Sequence, residues 1–146
     1  TYAQHIMVRY ELEKQLFAGT LAVNDLPQAW NDMYRAYLGV TVPNDREGVL
    51  QDSHWSGGAF GYFPSYALGS AYGAQMLHRM KQELDADAIA SGGDLTPITM
   101  WLGEKIHHYG RLLTPAQLLE SACGGPFEPH YFLDYLTKKY TALYRL

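Results

Sequence analysis

The sequence predicts an all-α protein, built as an irregular array of helices. Apolar residues recur at three- and four-residue intervals in several segments, and no long segment alternates with a period of two. Glycine or proline separates one periodic segment from the next, and no unit repeats along the chain.

The first periodic segment predicts a helix over 1–18, with Ile6, Tyr10 and Phe17 near one face, Leu12 and Leu16 beside it, and Gly19 as its stop. His5, Arg9 and Glu13 follow one another at intervals of four and so share a face. Such a stripe can line a cleft, with Arg9 gripping an anion through its fork of donors. Residue types alone favour the plainer reading, a solvated ion-pair row. Asn24 or Asp25 caps a second helix with Pro27 in its first turn and Ala29, Trp30, Met33 and Tyr37 as its buried side. Gly39 ends it, and 40–50 is a connection with a turn at Pro43-Asn-Asp-Arg.

Gln51 to Tyr62 has no clear period, although it has room for a short helical turn; its glycines favour irregular backbone that approaches something closely. From Pro64 a long helix is expected to about Ala90. Leu68, Tyr72, Met76 and Met80 recur every four residues along it, beside a small-residue stripe of Ser65, Gly69 and Gly73 suited to a tightly packed neighbour. Gly92-Gly-Asp breaks the chain, and Pro97 opens a helix carrying Ile98, Trp101, Leu102, Ile106 and Tyr109 up to Gly110. Thr114 caps a short helix with Pro115 at its first position. After Cys123-Gly-Gly-Pro, a last helix over roughly 129–144 presents Phe132, Leu136, Tyr140 and Leu143.

At 146 residues the chain is one domain, or one layer of a larger one. An apolar fraction of 47% argues against disorder. The net charge of -4, with no basic run, argues against a nucleic-acid surface. Cys123 stands alone, which leaves neither a disulfide framework nor a thiolate metal site. No apolar run approaches membrane-spanning length, so a soluble cytoplasmic protein without a membrane partner is expected. Twelve tyrosines, three tryptophans and helical periodicity from the outset hint at a piece of a longer protein.

Chemistry concentrates in Gly48-Val-Leu-Gln-Asp-Ser-His-Trp55 and the following Ser-Gly-Gly-Ala-Phe-Gly-Tyr-Phe-Pro-Ser-Tyr66. Each buried polar tip must find a partner or cost free energy, so packing alone rarely selects this mixture. It reads as the polar wall of a pocket. His54 is the leading candidate, able to steady an oxyanion or pass a proton. Asp52 either orients it or caps the following turn, and Gln51 can satisfy irregular backbone. Tyr62 and Tyr66 flank Pro64, where a phenol can donate to a carboxylate or to developing charge. For all of these the plain alternative is a set of packed, hydrogen-bonded groups fixing a loop. His107 and His108 are adjacent and do not face each other on a helix, and no His-Glu-x-x-His occurs. Ligands for a metal-activated water would come from outside this chain.

The segment 48–55 resembles the Gly-x-x-Gln-Asp-x-His-Trp signature of the M32 family of metallocarboxypeptidases. The likeness extends through His5-Ile-Met-Val-Arg-Tyr-Glu-Leu-Glu13, Asp25-Leu-Pro-Gln-Ala-Trp30, Phe60-Gly-Tyr-Phe-Pro-Ser-Tyr-Ala-Leu-Gly69, Phe132-Leu-Asp-Tyr-Leu136 and Lys139-Tyr140. It implies a mostly helical enzyme that removes single residues from peptide C-termini, with 1–146 as its C-terminal helical region. It also implies one divalent metal, zinc in kind, held by a preceding half that this chain lacks; no cofactor is expected in the chain itself.

By this resemblance His54 and Tyr66 are the catalytic pair. Gln51, Asp52, Tyr62, Arg9 and His5 bind substrate or shape the wall. The implied partners are a peptide substrate, the missing N-terminal half and a second copy in a homodimer. The isolated chain is expected to be inactive. The competing class is a noncatalytic helical interaction domain, which a buried His54 remote from any cleft would favour.

Overall fold

The computed structural model describes residues 2–146, and among these it contains α-helices and 3-10 turns but no strand. Position 1, the first residue of the expected helix over 1–18, lies outside the described residues. The chain divides into two compact units, Thr1–Leu68 and Gly69–Leu146.

In the first unit, α1 (Tyr2–Phe17) and α2 (Leu26–Leu38) enclose a core of Val8, Leu12, Trp30 and Val49. Trp30 and Leu12 are almost wholly buried, each contributing on the order of 1.5–3 kcal/mol or more by leaving water. A 3-10 turn at Val23–Asp25 precedes α2, and Gly39 closes it in the left-handed conformation. Tyr34 packs against this core, while Tyr37, expected on the buried side, is exposed. Gly48 is required by close approach: a Cβ there would lie 2.6 Å from Val42 Cγ1 and 3.1 Å from the Asn44 carbonyl. Beyond it come the short helix α3 (Ser53–Ser56) and a glycine-rich loop.

α4 covers Pro64–Glu83, seven residues short of the expected end at Ala90. The chain breaks because Asp85 accepts from the Ala88 N–H and caps a new helix, α5 (Ala86–Gly92). Among the described residues nothing lies within 4 Å of where a Cβ would sit at Gly69 or Gly73, so none of them packs tightly on the small-residue stripe there. In the second unit Met80, Ala86 and Trp101 form the core between α4, α5 and α6 (Thr96–Lys105). Gln75 is buried; it donates to the Pro126 carbonyl and accepts from the Glu128 N–H. α7 (Pro115–Cys123) begins in a reciprocal capping box between Thr114 and Gln117. α8 (His130–Tyr144) has no fully buried residue, and Tyr140 and Leu143 of its expected apolar face are exposed.

Candidate functional site

α1 carries its polar stripe inward. Arg9 and Glu13 are buried, which overturns the solvated ion-pair row. The Arg9 Nε donates to Asp52 Oδ2 at 2.6 Å, forming an ion pair whose carboxylate is almost fully enclosed. One terminal nitrogen of Arg9 donates to the Tyr34 hydroxyl and the His5 carbonyl, and it lies 3.0 Å from His5 Nδ1. The guanidinium also rests over the rings of Trp30, at 4.6 Å, and Phe63, at 5.0 Å. It is thus held by two aromatic rings as well as by its hydrogen bonds, as suits a rigid fork.

Asp52 resolves the choice left by the sequence. Its Oδ1 accepts from the backbone N–H groups of His54 and Trp55 at 2.8 and 2.9 Å, so it caps α3. The same oxygen is 3.9 Å from His54 Nδ1, beyond hydrogen-bond distance. Asp52 therefore fixes the backbone beneath His54 and makes no hydrogen bond to its ring.

The imidazole is oriented by other groups. His54 Nε2 and Tyr66 Oη are 3.1 Å apart, which brings together the two tips expected to share a wall. The Tyr62 ring lies nearly parallel to the imidazole at 5.8 Å, and the buried Phe63 ring packs against it at 4.6 Å. Tyr62 and Tyr66 meet edge to face at 5.2 Å. The His54 side chain keeps 31% of its surface exposed, so the pair stands at the surface of the unit. Partial burial and then the neighbouring Tyr62 phenol push the Tyr66 hydroxyl above the ordinary tyrosine range; it stays protonated at neutral pH.

Gln51 points elsewhere: its exposed amide donates to the Arg46 carbonyl at 2.6 Å from the end of a 3-10 turn. His5 is half-buried and lies beside Arg9 and the edge of Tyr2. Burial first and the Arg9 charge second hold its pKa below the usual histidine range. Glu13 accepts from Trp55 Nε1 at 3.1 Å and from the Gly61 N–H.

Sequence reasoning missed Tyr34 and Phe63 as parts of this site, and it placed Glu13 on the α1 stripe without naming it a site residue. The spacing of Glu13 from Arg9 was the one available signal. In the second unit an open hollow of about 610 Å³, lined by Leu84, Pro97, Met100 and Trp101 among others, gathers no comparable pair. Among the described residues no group of three or more His, Cys, Asp or Glu side chains is placed to hold a metal ion.

A family profile described as Carboxypeptidase Taq (M32) metallopeptidase matches residues 1–140. Carboxypeptidase 1 of Bacillus subtilis (strain 168) is 47% identical over 100% of this chain and 29% of its own length. Thermostable carboxypeptidase 1 of Thermus thermophilus is 44% identical over 99% of this chain and 28% of its own length. Among solved structures, Trypanosoma cruzi metallocarboxypeptidase 1 aligns with a TM-score of 0.92 at 40% identity, over 95% of this chain and 28% of that one. The M32 carboxypeptidase from Deinococcus radiodurans R1 aligns with a TM-score of 0.92 at 35% identity, over 99% of this chain and 30% of that one. The all-helical irregular array is thus that of these proteins, and the chain spans less than a third of the curated relatives it matches.

Proposed function

Because the chain belongs to the Carboxypeptidase Taq (M32) metallopeptidase family, we propose that it is the C-terminal segment of a carboxypeptidase that trims single residues from peptides with broad specificity. The observation that carries this reading is the 3.1 Å contact between His54 Nε2 and Tyr66 Oη at an exposed edge. The chain then supplies the substrate and transition-state wall of the cleft.

The family description implies a metal, and among the described residues no group of three or more His, Cys, Asp or Glu forms a donor set for one. One divalent ion, zinc in kind, is assigned to the remainder of the whole protein. What this chain contributes is its own polar chemistry. As the scissile carbonyl becomes tetrahedral its oxygen gains negative charge, and donors already aimed at it lower the barrier. Tyr66, kept protonated, is one such donor, and His54 is the other half of a single hydrogen-bonded unit. Preorganisation is the contribution of the surroundings: Asp52 fixes the backbone of His54, and Phe63 and Tyr62 flank its ring. Arg9 is committed to Asp52, His5 and Tyr34 and is read, with Asp52 and His5, as shaping the wall, while Gln51 braces the turn before it through the Arg46 carbonyl. Tyr62, half exposed beside His54, is the ring read as touching substrate. The proposed partners are a peptide, the remainder of the same protein and a second copy in a homodimer; the proposed location is the cytoplasm.

The whole protein should release single C-terminal residues from an N-blocked peptide, lose that activity to a chelator and regain it with zinc. The 146-residue chain alone should show neither turnover nor stoichiometric tight zinc binding. Tight zinc binding by the isolated chain, or a whole protein that leaves peptide C-termini intact, contradicts the reading.

A further inference from the structure

Glu13 is a buried carboxylate with an unusual pair of partners. No Lys or Arg among the described residues lies within ion-pair distance of it. Instead one oxygen accepts from the Trp55 indole and the other from the Gly61 backbone N–H, 42 and 48 residues along the chain. These two donors bracket the loop that links His54 to the aromatic residues packed on it. That loop contains Gly57, Gly58 and Gly61, and Gly58 and Gly61 have φ of 77° and 73°. A span so rich in glycine loses much conformational entropy on being fixed and needs ties from outside itself. α1 supplies a further tie close by, where the Phe17 ring meets Phe60 edge to face at 5.1 Å.

We propose that Glu13 is a positioning residue for the His54 wall. By gripping both ends of 55–61 it sets where Tyr62 and Phe63 stand against the imidazole. A carboxylate suits the task because it offers an acceptor oxygen to each of two N–H groups. A glutamine of the same shape offers one, and its amide nitrogen would face a donor. The inference deepens the reading of His54 and Tyr66 as the transition-state wall and rests on it.

The test uses the whole enzyme and its peptide-trimming rate. Glu13→Gln should lower kcat about 10-fold with KM changed less than about 3-fold, as expected when a reacting group is slightly misplaced. The same substitution in a His54→Ala background should add no more than about 2-fold, because the group it positions is gone. That background remains measurable, since deleting one such donor costs on the order of 10²- to 10³-fold in kcat. If His54→Ala is impaired but Glu13→Gln leaves kcat unchanged, the positioning role alone is overturned. It is likewise overturned if Glu13→Gln lowers kcat by the same factor in both backgrounds, as a residue that only holds the fold would do. If His54→Ala keeps full kcat, the underlying wall reading fails and the proposal falls with it. Trp55→Phe removes one of the two bonds with little loss of ring packing, and it decides the question should Glu13→Gln not fold. It should lower kcat by about 3-fold in the wild-type background and not at all beside His54→Ala; equal losses in both overturn the proposal.

Discussion

In the first unit the Trp55 indole donates to Glu13 at 3.1 Å; in the second the Trp101 indole donates to Glu83 at 2.8 Å. The pairs match in chemistry and differ in setting. Glu83 is partly exposed, pairs with Arg79 at 2.8 Å and staples α4 to α6. The Trp101 hydrogen bond, foremost, together with Lys105 and Arg79, draws its pKa below the usual carboxylate range. Glu13 is buried, and its second oxygen goes to a loop N–H. One tie spends its spare oxygen on a cation that water screens, and the other spends it on backbone that a site needs fixed. The wider contrast follows the same line. The first unit buries Arg9, Glu13 and Asp52 in a joined network around His54, whereas Gln75 is the buried polar residue described in the second.

The largest effect separating the units should come from cutting that network. Asp52→Ala leaves Arg9 buried without its counter-charge and α3 without its cap. It should cost about 3–5 kcal/mol by chemical denaturation, whereas Glu83→Gln should cost less than about 1 kcal/mol. Similar values for the two would erase the distinction between the units.

A smaller effect sharpens it. The folded-state pKa of His5 is lowered, so the unfolded chain binds the proton more readily in the window below about 6.5. The stability tied to neutral His5 is complete above that value and is lost as pH falls through the folded pKa. A melting series run downward from pH 7 should therefore decline less steeply for His5→Gln than for wild type. Identical slopes would mean that His5 protonation does not disturb its place beside Arg9 and Tyr2.

Much of this was legible in the sequence because it rests on local rules. Thr114 with Pro115, Pro27 and Gly39 are local signals, and the helices they bound are present. His54 and Tyr66 stand twelve residues apart across one short loop, so their meeting was also within reach. Burial of the α1 stripe was not legible, because Arg9 and Glu13 owe it to partners more than forty residues away. Tyr37 was expected on the buried side of α2, but it is Tyr34 that stacks on Trp30 and accepts from Arg9, a partner 25 residues away in the chain. The length of α4 was overestimated because an Asp cap at Asp85 outweighs continued helical periodicity.

The account stands most directly on His54 and Tyr66 acting as one unit, and a double-mutant cycle on kcat in the whole enzyme tests it. His54→Ala should lower kcat by on the order of 10²- to 10³-fold and Tyr66→Phe by about 10-fold or more, with the double variant little worse than His54→Ala. Losses that simply multiply, or singles that retain full kcat, would contradict it.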